Sequence, residues 1–245
     1  MPETSRIAIK VWDLPVRIFH WVIVVLLVFQ VVTGKIGGDL MGMHAFCGYT
    51  ILVLVVFRVL WGFAGSTHAR FASFIAGPSA TVRFAKRLFS RQAVPQVGHN
   101  PLGGWSVILM IASLGLQAVS GLFANDGAEF GGPLTSWVTV DVSNRLTEFH
   151  RWNLKVLLVL SGLHIAAVVY HWLVKKDELV WPMFTGVKHV PEAAVHERRA
   201  ALRGTPLRRA LSREQAAAYL ASNWRALVLL LVAIAIVWVV VHATR

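Results

Sequence analysis

The sequence predicts an all-α integral membrane protein, with a four-helix bundle followed by a fifth, C-terminal transmembrane helix. Two observations lead to this fold class. The chain has 245 residues, of which 56% are hydrophobic and only 15% are charged, too few polar residues for a soluble domain of this length. The apolar residues are also gathered into five long stretches, each of about the 20 residues that an α-helix needs to cross a bilayer.

The five predicted spans share a mostly apolar composition with few ionisable residues. They cover residues 15–34, 43–62, 104–123, 148–174 and 224–241. Asp13 is a typical N-cap residue, and Pro15 suits the first turn that follows it. The fifth span is apolar on all sides, so we interpret it as a peripheral anchor outside the bundle.

The spans divide the chain into four parts. These are an N-terminal arm, the four-helix domain, a basic segment and the anchor helix, at residues 1–14, 15–186, 187–223 and 224–245. The first apolar run is not followed by a small-residue cleavage site, which predicts that it is retained rather than removed as a signal peptide.

Two segments between the spans have amphipathic sequences. Residues 69–89 are predicted to lie in the membrane interface, with their basic side chains on lipid head groups. Ser212 and Gln215 have the spacing of a capping box and predict the start of a helix that leads into the last span. A plain solvated surface is the alternative for both segments.

The charge distribution predicts the orientation in the membrane. The formal net charge is +12, and basic residues cluster before the first span, between the second and third, and between the fourth and fifth. The loop between the third and fourth spans is mainly acidic, with Asp126, Glu129 and Asp141. The positive-inside rule then places the N-terminus in the cytoplasm and the C-terminus outside a bacterial inner membrane, and it explains the basic charge without nucleic acid. The single cysteine, Cys47, permits no intrachain disulfide and argues against an iron–sulfur cluster as the cofactor.

Half of the ten histidines fall inside the predicted spans or at their edges. They are His20, His44, His150, His164 and His171. An ionisable side chain at membrane depth is costly, so each one is a functional-site hypothesis. The alternative for any single one is a neutral histidine that is hydrogen-bonded to a neighbouring helix.

The spacing of these histidines predicts two pairs. His150 and His164 are 14 residues apart on one helix, which puts them on nearly the same face and roughly 21 Å apart along the axis. With alternating spans, His20 lies at the depth of His164, and His44 at the depth of His150. Two imidazoles from different helices at one depth suit bis-histidine haem, so we expect two haem b groups. His171 shares the same helix face and remains an alternative inner ligand.

Two arginines are candidate partners for the haem propionates, which are anions that need cations in a low-dielectric medium. Arg58 follows His44 by 14 residues, so it faces the same side at the depth of the inner pair; the alternative is that it reaches lipid head groups. Arg17 lies one turn before His20 and suits either a propionate or a lipid phosphate.

Four stretches of the chain resemble a known family. They are "VWDLPVRIFHW", "HAFCGYTILVLVVFRVLWGFAG", "GHNPLGGWSVILMIASLGLQAVSGLF" and the segment from "EFHRWNLKV" to "VWPMFTG", which together cover about residues 11–186. The family unites bacterial di-haem cytochromes of the b561 type with the cytochrome b subunits of membrane-bound nickel–iron hydrogenases. The resemblance implies two b-type haems held by four histidines, which match His20, His44, His150 and His164 here. It also implies an arginine before a tryptophan-glycine pair, which matches Arg58.

These observations predict a transmembrane electron carrier of a respiratory chain. We expect electrons to pass between quinone and a redox partner, either a cytochrome c docked on the acidic loop or a dehydrogenase or hydrogenase subunit. One alternative is a quinone-linked oxidoreductase such as a superoxide oxidase, so whether the chain is an enzyme stays open, and no catalytic residue is predicted. A histidine-lined metal transporter is the second alternative, although carboxylates are nearly absent from the spans.

Overall fold

The computed structural model describes residues 6–87, 98–127, 130–191 and 206–243. In chain order the elements are β1 (Arg6–Lys10), α1 (Leu14–Ile36), a 3-10 turn (Gly38–Leu40), α2 (Met41–Ala64), α3 (Phe71–Phe74), α4 (Pro78–Arg87), α5 (Pro101–Leu122), a second 3-10 turn (Thr135–Trp137), α6 (Val140–Leu173), α7 (Val180–Thr185), β2 (Val187–Pro191) and α8 (Pro206–His242). The chain is therefore mostly helical, as predicted.

Five of the described helices are long and apolar enough to cross a membrane, and they coincide with the five predicted spans. One difference is at the start of α6, which begins at Val140 rather than near Glu148. Its added turns are polar, and side-chain contacts support them: Ser143 donates to the Phe123 carbonyl over 2.7 Å, and the Asn125 side chain donates to Ser143 over 2.6 Å. A hydropathy window cannot detect helical turns of this kind.

The start of α1 confirms the predicted cap. Asp13 is buried, and its Oδ1 accepts a hydrogen bond from the Val16 backbone N–H over 2.9 Å. Its Oδ2 accepts bonds from the Trp61 indole over 3.0 Å and from the Ser66 hydroxyl. The same carboxylate therefore caps α1 and fixes it to the end of α2, where Trp61 is completely buried.

A small antiparallel sheet joins the N-terminal arm to the segment after α7, which the sequence analysis did not predict. Ile7 pairs with Val190, and Ile9 pairs with Lys188. Gly186 precedes β2 with a φ of 81°, and a Cβ at this position would lie 2.7 Å from the Trp12 carbonyl oxygen. Glycine is needed there because both the conformation and the space exclude a side chain.

The described contacts divide the chain into two compact units. The first comprises Met1–Arg17, Trp61–Val107 and His164–Ala226, and the second comprises Ile18–Leu60, Ile108–Leu163 and Leu227–Arg245. In the first unit, the predicted amphipathic segment forms α3 and α4, and the Trp105 indole of α5 donates over 3.1 Å to the carbonyl of Ala76, which lies between α3 and α4. Leu88 and Phe89, at the end of that segment, lie outside the described residues.

The C-terminal helix differs from its prediction in two ways. In the second unit, Val237 of α8 belongs to a buried cluster with Leu52, Leu122 and Leu134, so one face of α8 packs on α2 and α5. Small residues on that face, such as the fully buried Ala233, allow the close approach. The helix also begins at Pro206, so Ser212 lies inside the helix and is not its cap. Proline is favoured in the first turn because its missing N–H needs no partner there.

Candidate functional site

The rings of His44 and His150 face each other in the second unit. His44 lies in the first turn of α2, and His150 lies in the third turn of α6. Their ring centroids are 6.2 Å apart, and the ring planes are inclined at 70°. The structure thus brings together one of the two pairs that the spacing of the sequence predicted.

The hydrogen bonds of His150 fix its tautomer. Its Nδ1 lies 2.9 Å from the Gln117 carbonyl oxygen and 3.2 Å from the Ser120 hydroxyl. The Ser120 hydroxyl donates its own proton to the Gln117 carbonyl, and a carbonyl can only accept. Nδ1 of His150 must therefore carry the ring proton, which leaves a lone pair on Nε2.

His44 is held in the same way from α1. Its Nδ1 lies 3.1 Å from the Thr33 hydroxyl, which donates its proton to the Phe29 carbonyl over 2.9 Å. The hydroxyl oxygen accepts from Nδ1 of His44 when that nitrogen carries the ring proton, and a further hydrogen bond joins His44 to the Gln30 backbone. The surroundings of both rings are therefore compatible with Nε2 as a ligand, and those of His150 require that tautomer.

A glycine lies against each ring. A Cβ on Gly34 would lie 2.9 Å from Cε1 of His44, and a Cβ on Gly121 would lie 3.1 Å from Cε1 of His150. Both distances are too short for a normal carbon–carbon contact, so each imidazole uses the space that its neighbouring glycine leaves. Close packing of this kind restricts the rings to one orientation.

The residues that hold the His150 ring and backbone come from α5, a helix without a histidine. Ser113, Gln117 and Ser120 follow the i, i+4, i+7 spacing and lie on the face that meets α6. Asn153 of α6 donates to the Ser113 carbonyl over 3.0 Å and to the Gln117 side-chain oxygen over 2.7 Å. Since 3.6-residue periodicity applies to polar residues as well, this spacing was the signal that would have revealed the role of α5.

The other predicted ligands lie on the helices where the sequence placed them. His20 is in α1 within the second unit, where its ring makes an edge contact with Trp21 at 5.0 Å between centroids. His164 is in α6 and belongs to the first unit. The pairing of His20 with His164 stays a prediction.

The two candidate arginines have different surroundings. Arg58 of α2 is only 3% exposed, although its side chain ends in a charge. An arginine that reached the head groups would expose its guanidinium, so burial favours an anion inside the protein. Arg17 donates from Nη1 to the Phe184 carbonyl at the end of α7, a backbone partner that neither sequence-based alternative included.

His171, the alternative ligand, belongs to a charged cluster after α6. Its Nδ1 lies 3.8 Å from Asp177, whose carboxylate pairs with Lys188 of β2 at 2.8 Å. Burial alone raises the pKa of the Asp177 carboxyl, but the nearby His171 and Lys188 outweigh this effect and hold that pKa below its usual value. The cluster links the end of α6 to the small sheet.

Two of the three acidic residues proposed to dock a partner, Asp126 and Asp141, belong to the part of the chain that the structure describes. Asp126 has a local role, because its Oδ1 accepts the Phe130 backbone N–H over 3.0 Å. Asp141 is in the first turn of α6, where a negative charge is favourable near the positive end of the helix dipole. Glu129 lies outside the described residues.

A family model described as prokaryotic cytochrome b561 matches residues 11–186 of the chain. The chain belongs to the prokaryotic cytochrome b561 family. Among curated relatives, the cytochrome is similar to a protein of Rhizobium leguminosarum bv. viciae named "Probable Ni/Fe-hydrogenase B-type cytochrome subunit", with 26% identity over 74% of this chain and 89% of the relative. A protein of Rhodobacter capsulatus with the same name is 28% identical, over 74% of this chain and 81% of the relative. No solved structure matches the chain.

Membership of this family makes the chain a multi-pass membrane cytochrome that transfers electrons, with b-type haem as the implied cofactor. The His44–His150 site fits that group. Two imidazoles whose centroids are 6.2 Å apart leave room for one metal atom between them, because an imidazole nitrogen binds a first-row metal at about 2 Å. The buried Gln30 Oε1 makes no hydrogen bond to the described part of the chain, and Gln30 Nε2 lies beside Gly48, one turn after His44. A buried polar atom without a hydrogen bond to the protein is expected where a cofactor would complete the site.

Proposed function

We propose that this cytochrome binds two haem b groups, one between His44 and His150 and one between His20 and His164, and carries electrons between them across the membrane. The observation that carries the proposal is the His44–His150 pair, whose ring centroids are 6.2 Å apart. The second pair rests on sequence spacing and on the family resemblance. The helix rise over 14 residues separates the two levels by roughly 21 Å along α6.

The residues around His44 and His150 keep the two imidazole rings in place. When bound, haem supplies a one-electron couple of ferric and ferrous iron. With both His44 and His150 as ligands, the iron would have no position free for oxygen, which would favour electron transfer over oxygen chemistry. The Thr33 hydroxyl and the Gln117 carbonyl keep the ring protons on Nδ1, and the glycines keep the rings in one orientation, so little rearrangement accompanies a change of charge.

We assign Arg58 to a propionate of the haem between His20 and His164. Its burial supports this role, because a guanidinium that reached the lipid head groups would be exposed. Arg17 is a second candidate for the same haem, through donors other than the one that binds the Phe184 carbonyl.

For the arrangement in the cell, we propose a bacterial inner membrane with the N-terminus in the cytoplasm and the C-terminus outside. The alternation of basic and acidic loops supports this orientation. We also keep the predicted division into arm, four-helix domain, basic segment and anchor. Pairing of β1 with β2 extends the contacts of the arm to residues beyond the predicted boundary at residue 186.

The proposed partners are a redox protein on one side and quinone on the other. The names of the relatives favour a nickel–iron hydrogenase subunit as the redox protein, and a cytochrome c docked on the acidic loop is the second candidate. For quinone, a cleft of about 570 Å³ lies after α6 and is lined by Trp172, Glu178, Leu179, Val180 and Trp181. Two indoles and one carboxylate suit a flat head group that exchanges protons as well as electrons.

The same cleft would serve the enzymatic alternative, a quinone-linked oxidoreductase such as a superoxide oxidase. Quinol oxidation by the purified protein in liposomes, with superoxide or a soluble cytochrome c as the second substrate, separates the two functions. Turnover without a protein partner supports the enzyme, and turnover only with a partner supports the carrier. We expect Trp172→Ala and Trp181→Ala to raise the KM for quinol in either case.

The haem count tests the central proposal. We expect sharp reduced-minus-oxidised bands and two haems per chain in the purified protein, and we expect His44→Ala or His150→Ala to remove one of the two. His20→Ala or His164→Ala removes the other, and His171→Ala removes neither. His189→Ala, at an exposed position in β2, is the control. Full haem content in both His44→Ala and His150→Ala would show that the pair holds no haem.

A further inference from the structure

We infer that Thr33 is a positioning residue that lowers the redox potential of the haem between His44 and His150, an inference that rests on the proposed function. Thr33 is 1% exposed on α1, and its hydroxyl lies 3.1 Å from Nδ1 of His44. The hydroxyl proton is used by the Phe29 carbonyl. With His44 bound to haem through Nε2, its Nδ1 would carry the ring proton, and the Thr33 oxygen would accept it.

An acceptor at Nδ1 changes the electronic character of a ligand. When the ring N–H donates to an oxygen, electron density at Nε2 increases and the imidazole becomes a stronger base. A stronger donor favours the ferric state over the ferrous state, so the potential falls. Because Thr33 is buried, water does not take the place of a removed hydroxyl, so loss of the hydrogen bond changes the redox potential by its full effect.

The two histidines of this site differ in the kind of group that accepts a hydrogen bond from Nδ1. The principal acceptor of His150 is the backbone carbonyl of Gln117, which a side-chain substitution leaves in place. The group at Nδ1 of His44 is the side-chain hydroxyl of Thr33, so a single substitution removes it. The Gln30 backbone also bonds to His44, and we therefore expect loss of the hydroxyl to weaken this hydrogen bonding without releasing the ring.

The experiment compares Thr33→Val with Thr33→Ser in the full-length, haem-loaded protein. Valine has nearly the shape of threonine but no hydroxyl, and serine restores the hydroxyl. Thr50→Val is the matched control, because Thr50 also donates to a carbonyl of its own helix, Phe46, over 3.1 Å, and bonds to no histidine among the described residues. The readout is a spectroelectrochemical titration of both haems, with His44→Ala used to identify the wave of the His44–His150 haem.

We expect Thr33→Val to decrease the ferric-to-ferrous ratio of that haem three- to tenfold at a fixed potential, with Thr33→Ser and Thr50→Val close to the unaltered protein. This change corresponds to an upward shift of about 28 to 59 mV for a one-electron couple. Loss of that haem from Thr33→Val but not from Thr33→Ser also supports the role of the hydroxyl.

Two results would overturn the inference while the proposed function stands. One is an unchanged potential in Thr33→Val with both haems bound. The other is an equal shift, or equal haem loss, in Thr33→Val and Thr33→Ser, which would assign the effect to shape. A protein that binds no haem at this pair even without substitution would contradict the proposed function itself, and the inference with it.

Discussion

Gln117 and His150 are joined by two hydrogen bonds that run in opposite directions. The His150 ring donates from Nδ1 to the Gln117 carbonyl over 2.9 Å, and the Gln117 side-chain amide donates to the His150 carbonyl over 3.0 Å. Asn153 donates to the remaining oxygen of the Gln117 amide. The backbone and the side chain of one residue therefore fix both the ring and the backbone of the candidate ligand.

The first prediction concerns this clamp. Gln117→Leu keeps the carbonyl that accepts from the His150 ring but removes the amide, which leaves the His150 carbonyl and Asn153 each without one bond. We expect unfolding in detergent to become easier by about 1–3 kcal/mol, the cost of an unsatisfied buried polar group, together with partial loss of one haem. Leu116→Ala, at a neighbouring exposed position, is the control, and equal effects of the two substitutions would show that the clamp adds nothing.

The second prediction concerns the glycines beside the rings. Gly34→Ala and Gly121→Ala each add a methyl group within about 3 Å of a histidine carbon, so we expect each substitution to displace a ring and remove or shift the spectrum of one haem. Gly162→Ala is a matched control, because a Cβ at Gly162 meets no atom within 4 Å. The measurement is haem content per chain with the reduced-minus-oxidised spectrum. Unaltered spectra for Gly34→Ala and Gly121→Ala would refute the tight fit.

The third prediction concerns the buried cation. If Arg58 lies beside a haem, its charge favours the reduced state, and Arg58→Leu should lower the potential of one haem. We expect the ratio of oxidised to reduced haem at a fixed potential to rise at least threefold, which is about 28 mV for one electron. Arg145→Leu, at an exposed site near the start of α6, controls for the change in net charge. If the redox potentials of both haems are unchanged in Arg58→Leu, Arg58 does not lie beside a haem.

The fourth prediction concerns the Asp177–Lys188 pair. The pKa of Asp177 is lower in the folded protein than its ordinary value of 3.8, so the pair contributes fully above that value. Its contribution is lost as the pH falls through the lower, folded pKa. We expect stability from this pair to be constant between about pH 5 and 8 and to decline in stronger acid.

Lys188→Met tests the same pair at neutral pH. It should destabilise the protein by about 3 kcal/mol, because it leaves a carboxylate buried without its closest cation, and it should flatten the decline in acid. Thermal unfolding followed across this pH range provides the measurement. Lys176→Met, at an exposed lysine of the same loop, should have little effect on stability. A similar loss of stability in this variant would show that the effect does not depend on the Asp177–Lys188 pair.

The sequence by itself determined the fold class, the family and the candidate ligands. Hydropathy identified five spans because a bilayer requires long apolar helices, and the 14-residue spacing of His150 and His164 placed both on one helix face because helix periodicity is fixed. The cap at Asp13 was also predictable, since capping depends on local sequence.

Only the tertiary structure decided what surrounds the ligands. The contacts of His44 with Thr33, and of His150 with Gln117 and Ser120, join different helices, and the distance between such residues along the chain carries no information about their distance in space. The extra turns of α6, the sheet between β1 and β2 and the packed face of α8 depend in the same way on contacts between remote segments. Local sequence sets helix formation and periodicity, whereas the identity of the neighbouring side chain is fixed only when the helices pack.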